Sequence, residues 1–173
     1  MVNSQTPWFE RKFNFSHTEN IFPHIVERLR AAPERLREKV KLLPHEQLHA
    51  KPNGVWSVKE NIGHLHDLEP LWMGRLEDIL SGQTFLRATD LANAKTTQAN
   101  HNAKKLSELL QEFEQARVAT VARLELLSEK EIYLTALHPR LQTPMRTMDL
   151  FLFVAEHDDH HLSTVSQLIQ LAK

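Results

Sequence analysis

Apolar residues recur along this chain at intervals of three and four, which is the spacing of helix faces packed against a core. Ile21, Ile25, Leu29, Leu36, Val40 and Leu43 mark a first helix over 19–43. Pro33 interrupts that pattern, so a kink or a restart is expected there. A turn cluster, Pro52-Asn53-Gly54, precedes a second helix over 58–81. Ser57 and Glu60 form its capping box and Gly82 is its stop signal. Ile62, Leu65, Leu68, Leu71, Trp72, Leu76 and Ile79 form its apolar face. A third helix over 103–127 carries Leu106, Leu109, Leu110, Phe113, Val118, Val121 and Leu124, and a fourth runs over 148–171 behind Thr147 as its cap. The connections at 83–100 and 128–146 lack a continuous stripe, and Pro139 and Pro144 exclude a long helix from the latter.

These elements predict an all-α protein, a single domain over 1–173 built as a four-helix bundle with long connections between helices 2 and 3 and between helices 3 and 4. Residues 1–18 carry Trp8, Phe9, Phe13 and Phe15. That segment is too aromatic for a free tail and is expected to pack on the bundle or on a partner chain. Trp56 and Trp72 read as core residues.

Composition narrows the function. The net charge is −1 and the basic residues are interspersed with acidic ones, so neither nucleic acid nor an anionic membrane is an expected partner. No apolar run reaches membrane-spanning length, and the first residues lack the apolar core of a signal peptide; a cytoplasmic protein is expected. There is no cysteine. Disulfides, thiolate metal sites and a cysteine nucleophile are thereby excluded.

The candidate chemistry lies in the fourth helix, in the run Glu156-His157-Asp158-Asp159-His160-His161-Leu162. His157 and His161 are one turn apart on one helix face. Leu150, Val154, Val165 and Leu168 continue the same stripe, so the pair points inward. Buried imidazoles either find hydrogen-bond partners or bind something, because an unpaired buried polar group costs roughly 1–3 kcal/mol. With 11 histidines in 173 residues, spacing alone is a weak signal. A second pair, His45 and His49, falls between Pro44 and Pro52 in a connection and reads as coincidence. On the second helix, His64 lies at the edge of the buried face and could complete a three-histidine set with open coordination positions, whereas His66 points away. Neutral imidazoles suit zinc, nickel, copper or ferrous iron. The alternative is three hydrogen-bonded core histidines.

Two motifs resemble those of the DinB-like, or YfiT-like, metal-binding four-helix bundles. One is Trp56-Ser57-Val58-Lys59-Glu60 followed by Gly63-His64-Leu65, Asp67 and Glu69; the other is the 156–162 run itself. The stretch from Arg28 to Leu48, with its Leu-x-x-Ala-Pro-Glu-Arg-Leu run, is also similar. The resemblance spans about 19–173 and implies that His64, His157 and His161 bind one divalent metal, zinc or nickel foremost and iron after them. It further implies a small-molecule substrate, and a homodimer in many members. The activity it suggests first is S-transfer by a small thiol cosubstrate that the metal activates. Hydrolysis by activated water at the same site, and metal binding without turnover, are the alternatives. Hydrolysis would need a base, for which Glu60 and Asp158 are the candidates. Asp67, Glu69, Asp158 and Asp159 are candidates for orienting imidazoles, and His160 for lining the rim.

Overall fold

A computed structural model describes residues 5–171; the first four residues of the aromatic segment and the last two of the chain lie outside the described residues. Four long helices, α1 (Phe22–Val40), α3 (Val58–Leu80), α5 (Leu106–Glu125) and α7 (Thr147–Leu171), form the bundle, with short helices α2 (His45–His49), α4 (Ala94–Gln98) and α6 (Glu129–Ile132) in the connections. Each of α1 and α3 packs on both α5 and α7. Successive long helices are therefore diagonal from α1 to α3 and from α5 to α7, and the metal-candidate helices α3 and α7 are neighbours.

Local signals set the ends of α3. The Ser57 hydroxyl accepts the Glu60 N–H while the Glu60 carboxylate accepts the Ser57 N–H at 2.8 Å, closing the capping box. At the other end Gly82 adopts φ +74°, and Gln83 N–H reaches back to the Asp78 carbonyl at 2.9 Å.

Several expectations need correction. Helix α1 continues through Pro33 without a restart. Proline has no N–H to give the Leu29 carbonyl, and Arg117 of α5 donates to that carbonyl instead, at 3.2 Å. Thr147 does not cap α7. Its hydroxyl donates to the Glu131 carbonyl, and the Asp149 carboxylate accepts the Arg146 N–H at the helix start. Val118 is 62% exposed, because the buried stripe of α5 runs through Arg117 and Thr120. His45 and His49 sit on α2, with His49 bonded to the His45 and Asn102 carbonyls.

The 128–146 connection holds a small antiparallel hairpin, β1 (Thr135–Leu137) with β2 (Pro144–Arg146), in which Ala136 pairs with Met145. Leu137 also exchanges backbone bonds with Thr84 and Leu86, so the two long connections are stitched together at one end of the bundle. The hairpin loop thereby places His138 and Arg140 beside α3.

Trp8, Phe13 and Phe15 pack against the apolar core. Gln5 donates to the His160 carbonyl and the Thr164 hydroxyl, and Arg11 pairs with Glu156 at 2.5 Å. The N-terminal segment is thus a strap along α7. No helix among the described residues is long and apolar enough to cross a membrane.

Candidate metal centre

His64, His157 and His161 converge between α3 and α7. One ring nitrogen from each lies within 4.8 Å of the other two, and all three residues are buried. His157 and His161 approach most closely, with their Nε2 atoms 3.2 Å apart.

The surroundings fix which nitrogen faces the centre. The Asn61 amide group donates to the Trp56 and Ser57 carbonyls, leaving its oxygen to accept from His161 Nδ1 at 2.8 Å. His161 therefore carries its proton on Nδ1 and turns the Nε2 lone pair inward. A second chain orients His64. The Thr96 hydroxyl donates to Asp67 at 2.9 Å and so accepts from His64 Nδ1 at 3.0 Å, while His101 Nε2 also meets the same Asp67 oxygen at 2.8 Å. His157 Nδ1 is buried without a hydrogen-bond partner among the described residues.

Electrostatics keep the cluster neutral. Burial depresses the pKa of His64 to about 4. Burial also pushes His157 and His161 well below the usual histidine range, and the neighbouring imidazoles push the same way. Neutral imidazole is the form that coordinates a metal.

This donor set fits a divalent cation. Two ligand nitrogens on one tetrahedral ion at ~2.0–2.1 Å stand roughly 3.3 Å apart, close to the separation of His157 and His161. Without a cation, His157 is frustrated. A proton on Nδ1 leaves two lone pairs facing each other, and a proton on Nε2 leaves a buried Nδ1 lone pair unpaired. Either arrangement costs about 1–3 kcal/mol. A cation held by both rings would take the two Nε2 lone pairs.

The cluster lies on the wall of a cavity of about 440 Å³, with walls that include Trp8, Trp56, Trp72 and Phe153. The Trp56 ring lies tilted with its centroid 4.6 Å from that of His64, and the Trp72 ring lies edge-on 5.7 Å from that of His157. Trp72 is buried in the apolar core as expected and also lines the cavity, whereas Trp56, expected as core, is a half-buried cavity wall. His160 lines the cavity too, 5.5 Å from the Trp8 ring.

The candidate carboxylates lie elsewhere. Glu60 is occupied by Ser57 and Lys51, and Asp159 by Arg28 and Arg35. Asp158 and Glu69 clasp the buried Arg117, and Thr120 donates to Glu69 at 2.5 Å. Neither Glu60 nor Asp158 lines the cavity. Of the proposed orienting acids, only Asp67 reaches a triad imidazole, through Thr96. Asn61, Thr96 and His101 escape sequence reading, although a polar Asn61 one turn before His64 on a buried face is a trace of the arrangement.

No curated protein matches this chain. Among solved structures it is similar to YfiT from Bacillus subtilis, described as a probable metal-dependent hydrolase with an unusual four-helix bundle topology. The TM-score is 0.80, with 21% identity and 94% of each chain covered. At that identity the likeness concerns the fold. The family model of the DinB superfamily matches residues 28–165, a span that holds both motifs and all three histidines, and the chain belongs to the DinB superfamily.

Proposed function

We propose that this chain is a metal-dependent enzyme in which His64, His157 and His161 hold one divalent ion, zinc or nickel before iron, and a small thiol is the cosubstrate of an S-transfer reaction. The observation that carries the metal reading is the convergence of three neutral imidazoles, two with Nδ1 anchored, on the wall of an apolar cavity. A bound divalent cation supplies Lewis acidity, which lowers the pKa of a coordinated thiol or water.

The chain's own residues favour a thiol. Asp90 is the one carboxylate among the described lining residues, and its oxygens are taken by the Ala92 and Ala94 amides. Thiol attack needs no protein carboxylate, and the absence of cysteine means that the sulfur arrives with the cosubstrate. In such a step the thiol would give up its proton to solvent, its sulfur would bond to an electrophilic carbon, and that carbon's leaving group would depart with the electron pair. Trp8, Trp56, Trp72 and Phe153 would hold the organic part and exclude water.

Hydrolysis is the second reading. It is favoured by His160, an imidazole on the cavity wall kept neutral by burial and therefore available as a base, and by the description given to YfiT.

The test begins with elemental analysis of tag-free protein against His64→Ala and His161→Ala. About one equivalent of metal, lost in both variants, is expected. The loaded protein is then given 2-mercaptoethanol with 1-chloro-2,4-dinitrobenzene, and separately a p-nitrophenyl ester alone. Thiol consumption that needs both metal and electrophile supports S-transfer. Ester turnover without thiol moves the assignment to hydrolysis, and a loaded protein that does neither is a binding protein.

A further inference from the structure

The far end of the cavity carries a cluster that metal binding does not use. Arg75 of α3 is 1% exposed and lines the cavity, yet among the described residues no carboxylate pairs with it. The nearby acid, Asp78, is occupied by Arg87 through the backbone N–H, Nε and Nη2. Arg75 Nε donates to the Arg87 carbonyl at 3.1 Å, which fixes the guanidinium, and Nη2 is buried without a partner.

Its remaining neighbour is another donor. His138 is 2% exposed, and its Nδ1 accepts the N–H groups of Arg140 at 3.2 Å and Leu141 at 3.1 Å. A neutral ring with a lone pair at Nδ1 carries its proton at Nε2. That Nε2 lies 3.2 Å from Arg75 Nη1, so two N–H groups face each other with no acceptor between them. Arg140 adds a second cation on the same wall, with its guanidinium 5.2 Å from the Phe9 ring. Burial, with Arg140 close by, depresses the Arg75 pKa to about 10 despite the opposing pull of Asp78.

We propose that Arg75, His138 and Arg140 form an anion subsite that binds a carboxylate of the small molecule occupying the cavity. The planar Nη1/Nη2 edge of a fixed guanidinium matches two carboxylate oxygens, and the His138 Nε2–H supplies a third donor. The Trp72 ring neighbours both this subsite and the histidines, 5.6 Å from the Arg75 guanidinium carbon and 5.7 Å from the His157 ring. The inference rests on the cavity being the substrate site of the proposed enzyme. It adds that the substrate or cosubstrate is a carboxylic acid.

The test is calorimetric titration of the metal-free and zinc-loaded protein with benzoate, benzamide and inorganic phosphate. Benzoate is expected to bind both forms at least tenfold more tightly than its neutral amide. Arg75→Gln should weaken benzoate at least tenfold, leaving benzamide affinity and zinc content unchanged. If Arg75→Gln does not fold, Arg140→Gln is read in its place and should weaken benzoate several-fold. Equal binding of benzoate and benzamide would overturn the subsite, as would undiminished benzoate affinity in the folded variant. Benzoate binding confined to the zinc-loaded form would place the anion on the metal and also overturn it. Phosphate binding more tightly than benzoate with the same dependence on Arg75 would overturn the carboxylate assignment. Arg75-dependent benzoate binding in a protein that takes up no metal would support the subsite and sink the metal reading alone.

Discussion

Asn61 accepts the Nδ1 proton of His161 at 2.8 Å across a separation of 100 residues, and its amide group is held by the carbonyls of Trp56 and Ser57 just ahead of its own helix. A side chain that only positions a ligand should affect affinity more than capacity. Asn61→Ala is expected to lower metal affinity about 10–100-fold, with close to one equivalent still bound at saturation. Competition against a chelating dye measures this, and unchanged affinity would show that His161 needs no orienting partner.

The buried imidazoles make the metal-free protein acid-sensitive. His64 titrates at about 4 in the folded chain and at the ordinary 6.5 when unfolded. Between those values the unfolded chain binds more protons, so stability is complete above pH 6.5 and falls as pH drops toward 4. One such group is worth about 3 kcal/mol. His157 and His161 shift in the same direction and add to the loss. Urea unfolding of metal-free protein at pH 7.5, 6.0 and 4.5 should show this decline; a flat profile would mean that the triad protonates without cost.

Gly63 is set by a close approach. A Cβ there would stand 2.3 Å from the His101 ring, whose Nε2 contacts Asp67. Alanine is the better helix former by roughly 1 kcal/mol, yet Gly63→Ala is expected to destabilise by about 1–3 kcal/mol through overpacking. In a His101→Ala background the same replacement should become neutral or favourable. A double-mutant cycle by thermal unfolding reads the coupling, and additive effects would place the contact elsewhere.

The sequence carried the helices well because their apolar stripes are long, and it carried the histidine face of α7 because His157 and His161 fall inside one. Proline flanks separated the His45 pair from that signal. Three kinds of feature were less legible. The 135–146 hairpin has strands too short for alternation to register and includes Pro144. Of the supports of the triad, Asp67 was legible beside His64 in the motif, whereas the pairings of Asn61 with His161 and of Thr96 with His64 join residues remote in sequence, and only the polar Asn61 on a buried face left a trace. Polar residues inside a stripe mislead in a third way: Arg117 occupies the α5 position that hydropathy would grant to its neighbour Val118. The resemblance to the DinB-like bundles supplied what spacing could not, the link between His64 and the α7 pair.

Arg117 joins all four long helices through one planar group. From α5 it donates to the Leu29 carbonyl of α1, to Glu69 of α3 and to Asp158 of α7. Glu69 is five residues beyond His64, and Asp158 follows His157. The helices that bear the histidines therefore cannot part without exposing a guanidinium and two carboxylates together, which removes small local openings from the accessible excursions. The centre should load as a rigid receptor, with amide exchange near His64 and His157 tracking global unfolding whether or not the ion is bound.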